Sequence, residues 1–255
     1  MGVSWGTVSS IGQWLLTTLY PPICVFCEAP GSAGMDLCAD CRAELPTIDP
    51  CCPSCARPLP VGTASNSICR TCQHQPPLFH RCRAALRYQT PVKELVGDLK
   101  FRAQMNMIRL AGQLMAEQLH HQPDWQRPDA IIPVPMHPQR LRERGYNQAL
   151  ELARVVSHRL AVPLDGTSIS RVRLTTPQTK LKRRERLSNL HGSFAARRRL
   201  DGLRVALLDD VMTTGSTVTE CTQVVLAAGA AEVEVWVLAR TVEPERSTGD
   251  LRPGE

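Results

Sequence analysis

The chain has 255 residues, of which 43% are hydrophobic, 21% charged and only 4% aromatic. That is enough apolar material for one or two packed domains and too much for wholesale disorder, while the few aromatics argue against base-stacking platforms spread along the chain. The net charge is +6, and it is local: residues 171–199 hold ten Lys and Arg against one acid (Glu185), a surplus of +9 that leaves −3 for the remainder. A confined basic segment points to a phosphate-rich partner rather than to general solubility. No apolar run approaches the roughly eighteen residues of a membrane span. The first ten residues contain no Lys or Arg, so the basic n-region of a signal peptide is missing and a cytoplasmic protein is expected.

At the start, Ile11, Trp14, Leu15, Leu16 and Leu19 recur at helical spacing and stop at Pro21-Pro22. This predicts a short helix within residues 1–22 that packs on the rest of the protein. Residues 23–82 form a cysteine-rich unit. Ten of the eleven cysteines precede residue 83, and eight make four Cys-x-x-Cys pairs: Cys24/Cys27, Cys38/Cys41, Cys52/Cys55 and Cys69/Cys72. Two-residue spacing turns both thiolates of a pair toward one ion, and two pairs complete a tetrahedral four-cysteine zinc site. A disulfide framework would need an oxidising compartment, and a redox pair does not explain four repeats. Two structural zinc ions are therefore expected. Pairing stays open between sequential sites (24/27/38/41 and 52/55/69/72) and a cross-braced arrangement, with Cys51 as a substitute ligand. Cys82 and Cys221 read as small core or surface residues. A unit this small and poor in aliphatics needs its metal to fold.

From residue 83 to 240 short apolar runs alternate with helical stretches. Strands are expected at 83–88, 130–134, 205–208 and 233–238, and helices at 91–102, 107–120, 146–160 and 216–228. Such alternation means a parallel sheet with crossover helices, an α/β domain whose ligands gather at the carboxyl ends of its strands. Residues 241–255 read as a flexible tail.

One strand end carries the sharpest signal. The buried run Val205–Leu208 delivers Asp209 and Asp210, and Thr213, Thr214, Gly215, Ser216 and Thr217 then open a helix. Gly215 permits a close turn. Successive amides, hydroxyls and the positive helix end make a cradle for one phosphate. The paired acids would repel that phosphate and suit sugar hydroxyls or a metal-bound sugar, so the two halves together describe a ribose 5-phosphate. The competing reading is an ordinary strand-to-helix turn with a Ser/Thr cap.

This stretch resembles the phosphoribosyl pyrophosphate (PRPP) loop of type I phosphoribosyltransferases. From Cys24 to about Arg240 the chain resembles the competence protein F (ComF)/GntX family, in which zinc knuckles precede a type I phosphoribosyltransferase domain. Further matching segments are Leu99-Lys100-Phe101, Val134-Pro135-Met136 leading to Arg140, Arg144-Gly145-Tyr146-Asn147-Gln148, and Thr176-Pro177-Gln178 leading to Asn189. The resemblance implies that Asp209 and Asp210 are the catalytic acids, meeting the ribose hydroxyls directly or through Mg²⁺. It implies that Thr213–Thr217 hold the 5-phosphate. Lys100, Arg140 and Arg144 join them as PRPP-binding residues, the two arginines neutralising the pyrophosphate after Val134-Pro135. The basic stretch with Lys180, Lys182, Arg183 and Arg184 becomes a hood over the site or a nucleic-acid contact.

Two functions follow from the resemblance. One is Mg²⁺-dependent displacement at C1 of PRPP with an acceptor the sequence does not name; His137, a lone loop histidine, is a weak candidate base. The other is a non-catalytic factor in the uptake or use of DNA, binding single strands or DNA-processing proteins on a retained PRPP scaffold.

Overall fold

The computed structural model describes residues 21–64, 66–101, 104–174 and 191–241, apart from the side chains of Lys100 and Phe101. The helix expected before Pro21, the Thr176–Asn189 segment with Lys180, Lys182, Arg183 and Arg184, and the tail after Thr241 lie outside those residues.

Each knuckle contains one short helix that begins directly after a cysteine: α1 (Ala39–Ala43) after Cys38 and α2 (Arg70–His74) after Cys69. The Cys38 sulfur caps α1 by accepting from the Cys41 amide at 3.4 Å. The body then runs β1 (Arg81–Arg87), α3 (Val92–Phe101), α4 (Met105–His120), β2 (Ala130–Pro133), α5 (Pro138–Arg144) and α6 (Gln148–Leu160). A two-stranded antiparallel ribbon follows, β3 (Ile169–Arg171) with β4 (Phe194–Ala196). The chain continues through β5 (Arg204–Met212), α7 (Ser216–Ala227) and β6 (Glu232–Arg240).

β1, β6, β5 and β2 form one parallel sheet in that order. β5 and β6 are central and covered on both faces, so their sequences read as continuous apolar runs rather than alternating ones. Alternation reappears in what each residue touches. Ala206, Leu208, Trp236 and Leu238 face a layer containing Leu110 and Leu114 of α4 and Leu152 and Val156 of α6. Val205, Leu207, Val233, Val235 and Val237 face Val218, Cys221 and Val225 of α7. This is the two-residue period of a strand, expressed in a sheet with helices on both sides.

The cysteine-rich unit straddles the β1 edge. Cys24, Met35, Leu37, Cys38 and Leu45 join the α4/α6 layer, whereas Cys52, Cys55, Cys69, Cys72 and Phe79 join the α7 layer. The connection between the knuckles passes along β1 and pairs with it: the Arg87 amide donates to Pro46 O at 2.9 Å, the Cys82 amide to Ser54 O at 2.9 Å, and Thr47 bridges Leu86. The outer edge of the sheet is thereby hydrogen-bonded. β5 and β6 run further in both directions than their apolar cores indicated. α5 and the β3–β4 ribbon were not anticipated.

Candidate functional site

The eight paired cysteines resolve into two groups, Cys24/Cys27/Cys38/Cys41 and Cys52/Cys55/Cys69/Cys72, with the ligand sulfurs of each group within 4.8 Å of one another. The pairing is sequential, and Cys51 is in neither group. The Cys27 and Cys38 sulfurs, and those of Cys55 and Cys69, lie 3.6 Å apart. A tetrahedron with Zn–S bonds near 2.3 Å has edges of about 3.8 Å, so both groups fit the ion. Ionisation supports the same conclusion. Burial opposes a thiolate at Cys24, yet hydrogen bonds from the Cys38, Phe26 and Cys27 amides bring it to about 6. The hydrogen bond with the Cys55 side chain, with the Cys69, Cys55 and Ser54 amides, outweighs burial and holds Cys52 at about 4. Cys55 shifts the opposite way, pushed up by the Cys52 side chain and by burial. Four crowded thiols cannot all ionise by themselves, and a divalent cation removes that obstacle. Cys82 and Cys221 are buried in the core, and burial pushes Cys82 up to about 12.

The second feature sits at the carboxyl end of β5. β2 pairs with Val205–Leu208 and stops, while β5 continues four residues to Met212. Asp209 and Asp210 therefore emerge, half-buried, where β5 has lost its β2 partner. Each turns one carboxylate oxygen onto the chain: Asp209 Oδ1 accepts from the Asp210 amide at 2.9 Å, and Asp210 Oδ1 from the Val211 amide at 2.8 Å. Thr213 and Thr214 follow, and Gly215 turns the chain with φ of 82° into α7. That backbone is left-handed, which favours glycine, and a Cβ there would lie 2.8 Å from Met212 Cε, so the end of that side chain would have to shift. Thr214 Oγ1 and Ser216 Oγ lie 2.8 Å apart. A run of hydroxyls and amides at the start of a twelve-residue helix is a place for an anion.

Cations come from two other elements. Arg140 lies in α5, whose first helical residue is Pro138 and whose cap is the His137 ring, accepting from the Gln139 amide at 3.2 Å. His137 thus has a structural task. Arg144 is one turn after Arg140 on the same side of α5. Arg171 ends β3, its guanidinium 5.4 Å above the Phe194 ring, and the charges of Arg140 and Asp209 both act on it. Burial is the main cause holding the Arg171 pKa below its ordinary value, and Arg140 adds to it. Arg171 was not among the candidates from the sequence, where it is one arginine in a basic stretch. The ribbon is anchored below by Asp165, which accepts from the Thr167 and Ser168 amides at 3.1 and 3.0 Å and from Arg198 at 2.5 Å.

Three of the matching segments are tied together: the Tyr146 hydroxyl donates to Leu99 O, and Asn147 Nδ2 donates to Val134 O at 3.1 Å. Lys100 follows Leu99 in α3. A cavity of about 780 Å³ lies elsewhere, between the inter-knuckle connection and α4. Arg83 and Asp124 on its wall pair at 3.0 Å, and Arg83 also pairs with Glu234 at 3.3 Å.

Sheet order, phosphate-type loop and the two four-cysteine groups define a phosphoribosyltransferase-type domain behind a double zinc ribbon. Residues 15–75 match the family described as Double zinc ribbon domain, and residues 100–247 the family described as Phosphoribosyl transferase domain. Over 226 residues the chain is 34% identical to the DNA utilization protein YhgH of Escherichia coli, covering 87% of this chain and 98% of that one. It is 32% identical over 213 residues to competence protein F of Haemophilus influenzae, covering 80% and 90%. With ComFC of Bacillus subtilis it shares 28% over 215 residues, covering 80% and 84%. The chain belongs to the family of competence protein F and DNA utilization protein YhgH. No helix among the described residues is long and apolar enough to cross a membrane.

Proposed function

We propose that this protein binds PRPP with Mg²⁺ at the end of β5 and transfers or senses the phosphoribosyl group as part of the uptake or use of DNA. The observation that carries the reading is the half-buried Asp209/Asp210 pair running directly into the Thr213–Thr217 turn with its left-handed Gly215. In this reading the amides and hydroxyls of Thr213, Thr214, Ser216 and Thr217 hold the 5-phosphate, and the two carboxylates orient the ribose hydroxyls. Arg140 and Arg144 face the departing pyrophosphate with the guanidinium forks that suit phosphate oxygens. Lys100 adds a cation from α3, and Lys180, Lys182, Arg183 and Arg184 close over the site or track a nucleic-acid backbone. Asp209 and Asp210 would also hold Mg²⁺, which would supply charge neutralisation for the pyrophosphate. Displacement at C1 builds negative charge on the pyrophosphate, which the positioned arginines stabilise.

The names of the relatives support the link to DNA, and the exposed run Arg197, Arg198 and Arg199 beside the β3–β4 ribbon supports a second reading. In it the ribbon binds single-stranded DNA, alone or with a DNA-processing partner, and the PRPP loop is a sensor. Calorimetric titration of PRPP–Mg²⁺ into zinc-loaded protein tests the first reading. Saturable binding should disappear in Asp209→Asn/Asp210→Asn with the fold unchanged; equal binding by wild type and variant removes the loop assignment. Single-strand binding that falls steeply with salt and is lost in Lys180/Lys182/Arg183/Arg184→Ala would favour the second.

A further inference from the structure

We propose that Arg240 is a positioning residue through which the second four-cysteine knuckle holds the phosphate loop, so that metal at Cys52, Cys55, Cys69 and Cys72 and ligand in the loop strengthen each other's binding. The proposal rests on the phosphoribosyl reading only for the identity of that ligand.

Arg240 ends β6 in register with Met212, the last residue of β5, and is 2% exposed. Its Nε donates to the carbonyl of Cys55 at 3.1 Å. Its Nη1 donates to Met212 O at 2.9 Å and to Thr213 O. One planar guanidinium therefore spans from a metal-ligating residue to the first residue of the phosphate loop, and its rigid fork fixes the separation between them. A second connection runs alongside. Cys82 donates its amide to Ser54 O, next to Cys55, at 2.9 Å, and its sulfur lies 3.6 Å from Met212 Sδ. Met212 in turn ends where a Gly215 side chain would begin, so the loop's tightest turn is packed on a residue held from the knuckle.

The energetics favour coupling over simple contact. Four thiolates around a divalent ion leave a net charge of about −2, and a buried guanidinium beside the cluster is its natural counter-charge. Without the ion the Cys52–Cys55 turn loses the force that orders it, and the Cys55 carbonyl no longer anchors Arg240. Linkage requires the reverse effect: a ligand that fixes Thr213 and Gly215 stabilises Arg240, Cys55 and the metal by the same factor. The first knuckle packs in the opposite layer, with α4 and α6.

Two measurements on the full-length, zinc-loaded chain test this. In ligand-free protein, Cys72→Ser and Arg240→Lys should raise amide exchange at residues 212–217 by about tenfold or more, with Cys41→Ser within about twofold of wild type. In wild type, saturating PRPP–Mg²⁺ should slow transfer of one of the two zinc ions to a chelator by about fivefold or more, and Arg240→Lys should abolish that protection. Arg240→Lys retains every ligand cysteine, and the wild-type zinc release needs no substitution, so a misfolded Cys72→Ser does not blunt the test. Loop exchange unchanged in Arg240→Lys overturns the proposal. PRPP binding without slower zinc release overturns the coupling and leaves the phosphoribosyl reading standing. Faster loop exchange in both variants without any PRPP binding upholds the strut and removes the phosphoribosyl reading.

Discussion

The two knuckles share a ligand set and differ in what they support. The first stands on the α4 side of the sheet, where Leu37 is 0% exposed and Asp36 pairs with Arg109 and Arg42 with Glu117. Its cluster is partly open, with Cys27 exposed and Cys41 half-buried. The second is on the α7 side, all four cysteines buried, and reaches the Thr213–Thr217 turn through Arg240. The same coordination chemistry thus closes an apolar layer in one place and forms the footing of the turn from β5 into α7 in the other. Burial of the sulfurs follows from that: a cluster at the periphery can face water, whereas one wedged between a sheet and the turn that opens α7 cannot.

Removing the metal is the largest perturbation that separates the two. Chelation should release two zinc ions per chain, the first cluster ahead of the second because a chelator reaches Cys27 and Cys41 directly. Each loss should remove a structural contribution on the order of 10 kcal/mol of metal binding. Metal analysis during stepwise chelation checks this, and release of the buried cluster first would reverse the comparison. Next in size, Leu37→Ala should destabilise the first knuckle and α4 by about 2–5 kcal/mol while amide exchange at residues 212–217 stays at its wild-type rate; a disturbed loop would mean that the knuckles are not mechanically separate.

Acid probes the body apart from either knuckle. Burial opposes ionisation of Asp165, but hydrogen bonds from Ser168, Arg198 and the Thr167 and Ser168 amides hold its pKa at about 2, against an ordinary 3.8. A depressed carboxylate contributes its stability above the unfolded-state value and loses it as pH falls through the folded one. The contribution, about 2 kcal/mol, should therefore disappear between roughly pH 4 and pH 2, and Asp165→Asn should flatten that part of the stability profile. Gly215→Ala should cost about 1–2 kcal/mol for the left-handed backbone and weaken PRPP binding at the same time, seen together by thermal melting and calorimetry. Smallest of all, Arg42→Ala removes a largely exposed ion pair and should cost no more than about 1 kcal/mol in denaturant unfolding.

The sequence disclosed the cysteine knuckles and the β5 loop because each is a local pattern with one dominant physical reason. Zinc needs paired thiolates, and a phosphate turn needs glycine and hydroxyls at consecutive positions. Knuckle pairing was not legible, since sequential and crossed arrangements use the same spacing. Nor was the placement of the knuckles on opposite faces, which arises from a connection wrapping β1. Arg171 and Arg240 escape a sequence reading for different reasons: Arg171 is one arginine in a basic stretch, whereas Arg240 closes an apolar run. A cation following apolar residues reads as the exit of a strand into solvent, so the last strand is expected to stop at Leu238. In the folded chain Arg240 stays buried because the carbonyls of Cys55, Met212, Thr213 and Thr241 converge on it. α5 is announced by Pro138 at a helix start, a signal weaker than the arginines that follow it.

The connection that pairs with β1 also has a bearing on the fate of the chain when zinc is scarce. One of its hydrogen bonds, Arg87 to Pro46, adjoins the first metal centre and the other, Cys82 to Ser54, lies within the second knuckle, so each persists only while its own knuckle is folded. Loss of metal uncovers a seven-residue strand edge with unsatisfied amides and carbonyls, the template on which chains add to one another. Zinc starvation therefore converts a capped margin into an adhesive one, and self-association, rather than silent inactivity, is the physical signature of the metal-depleted protein.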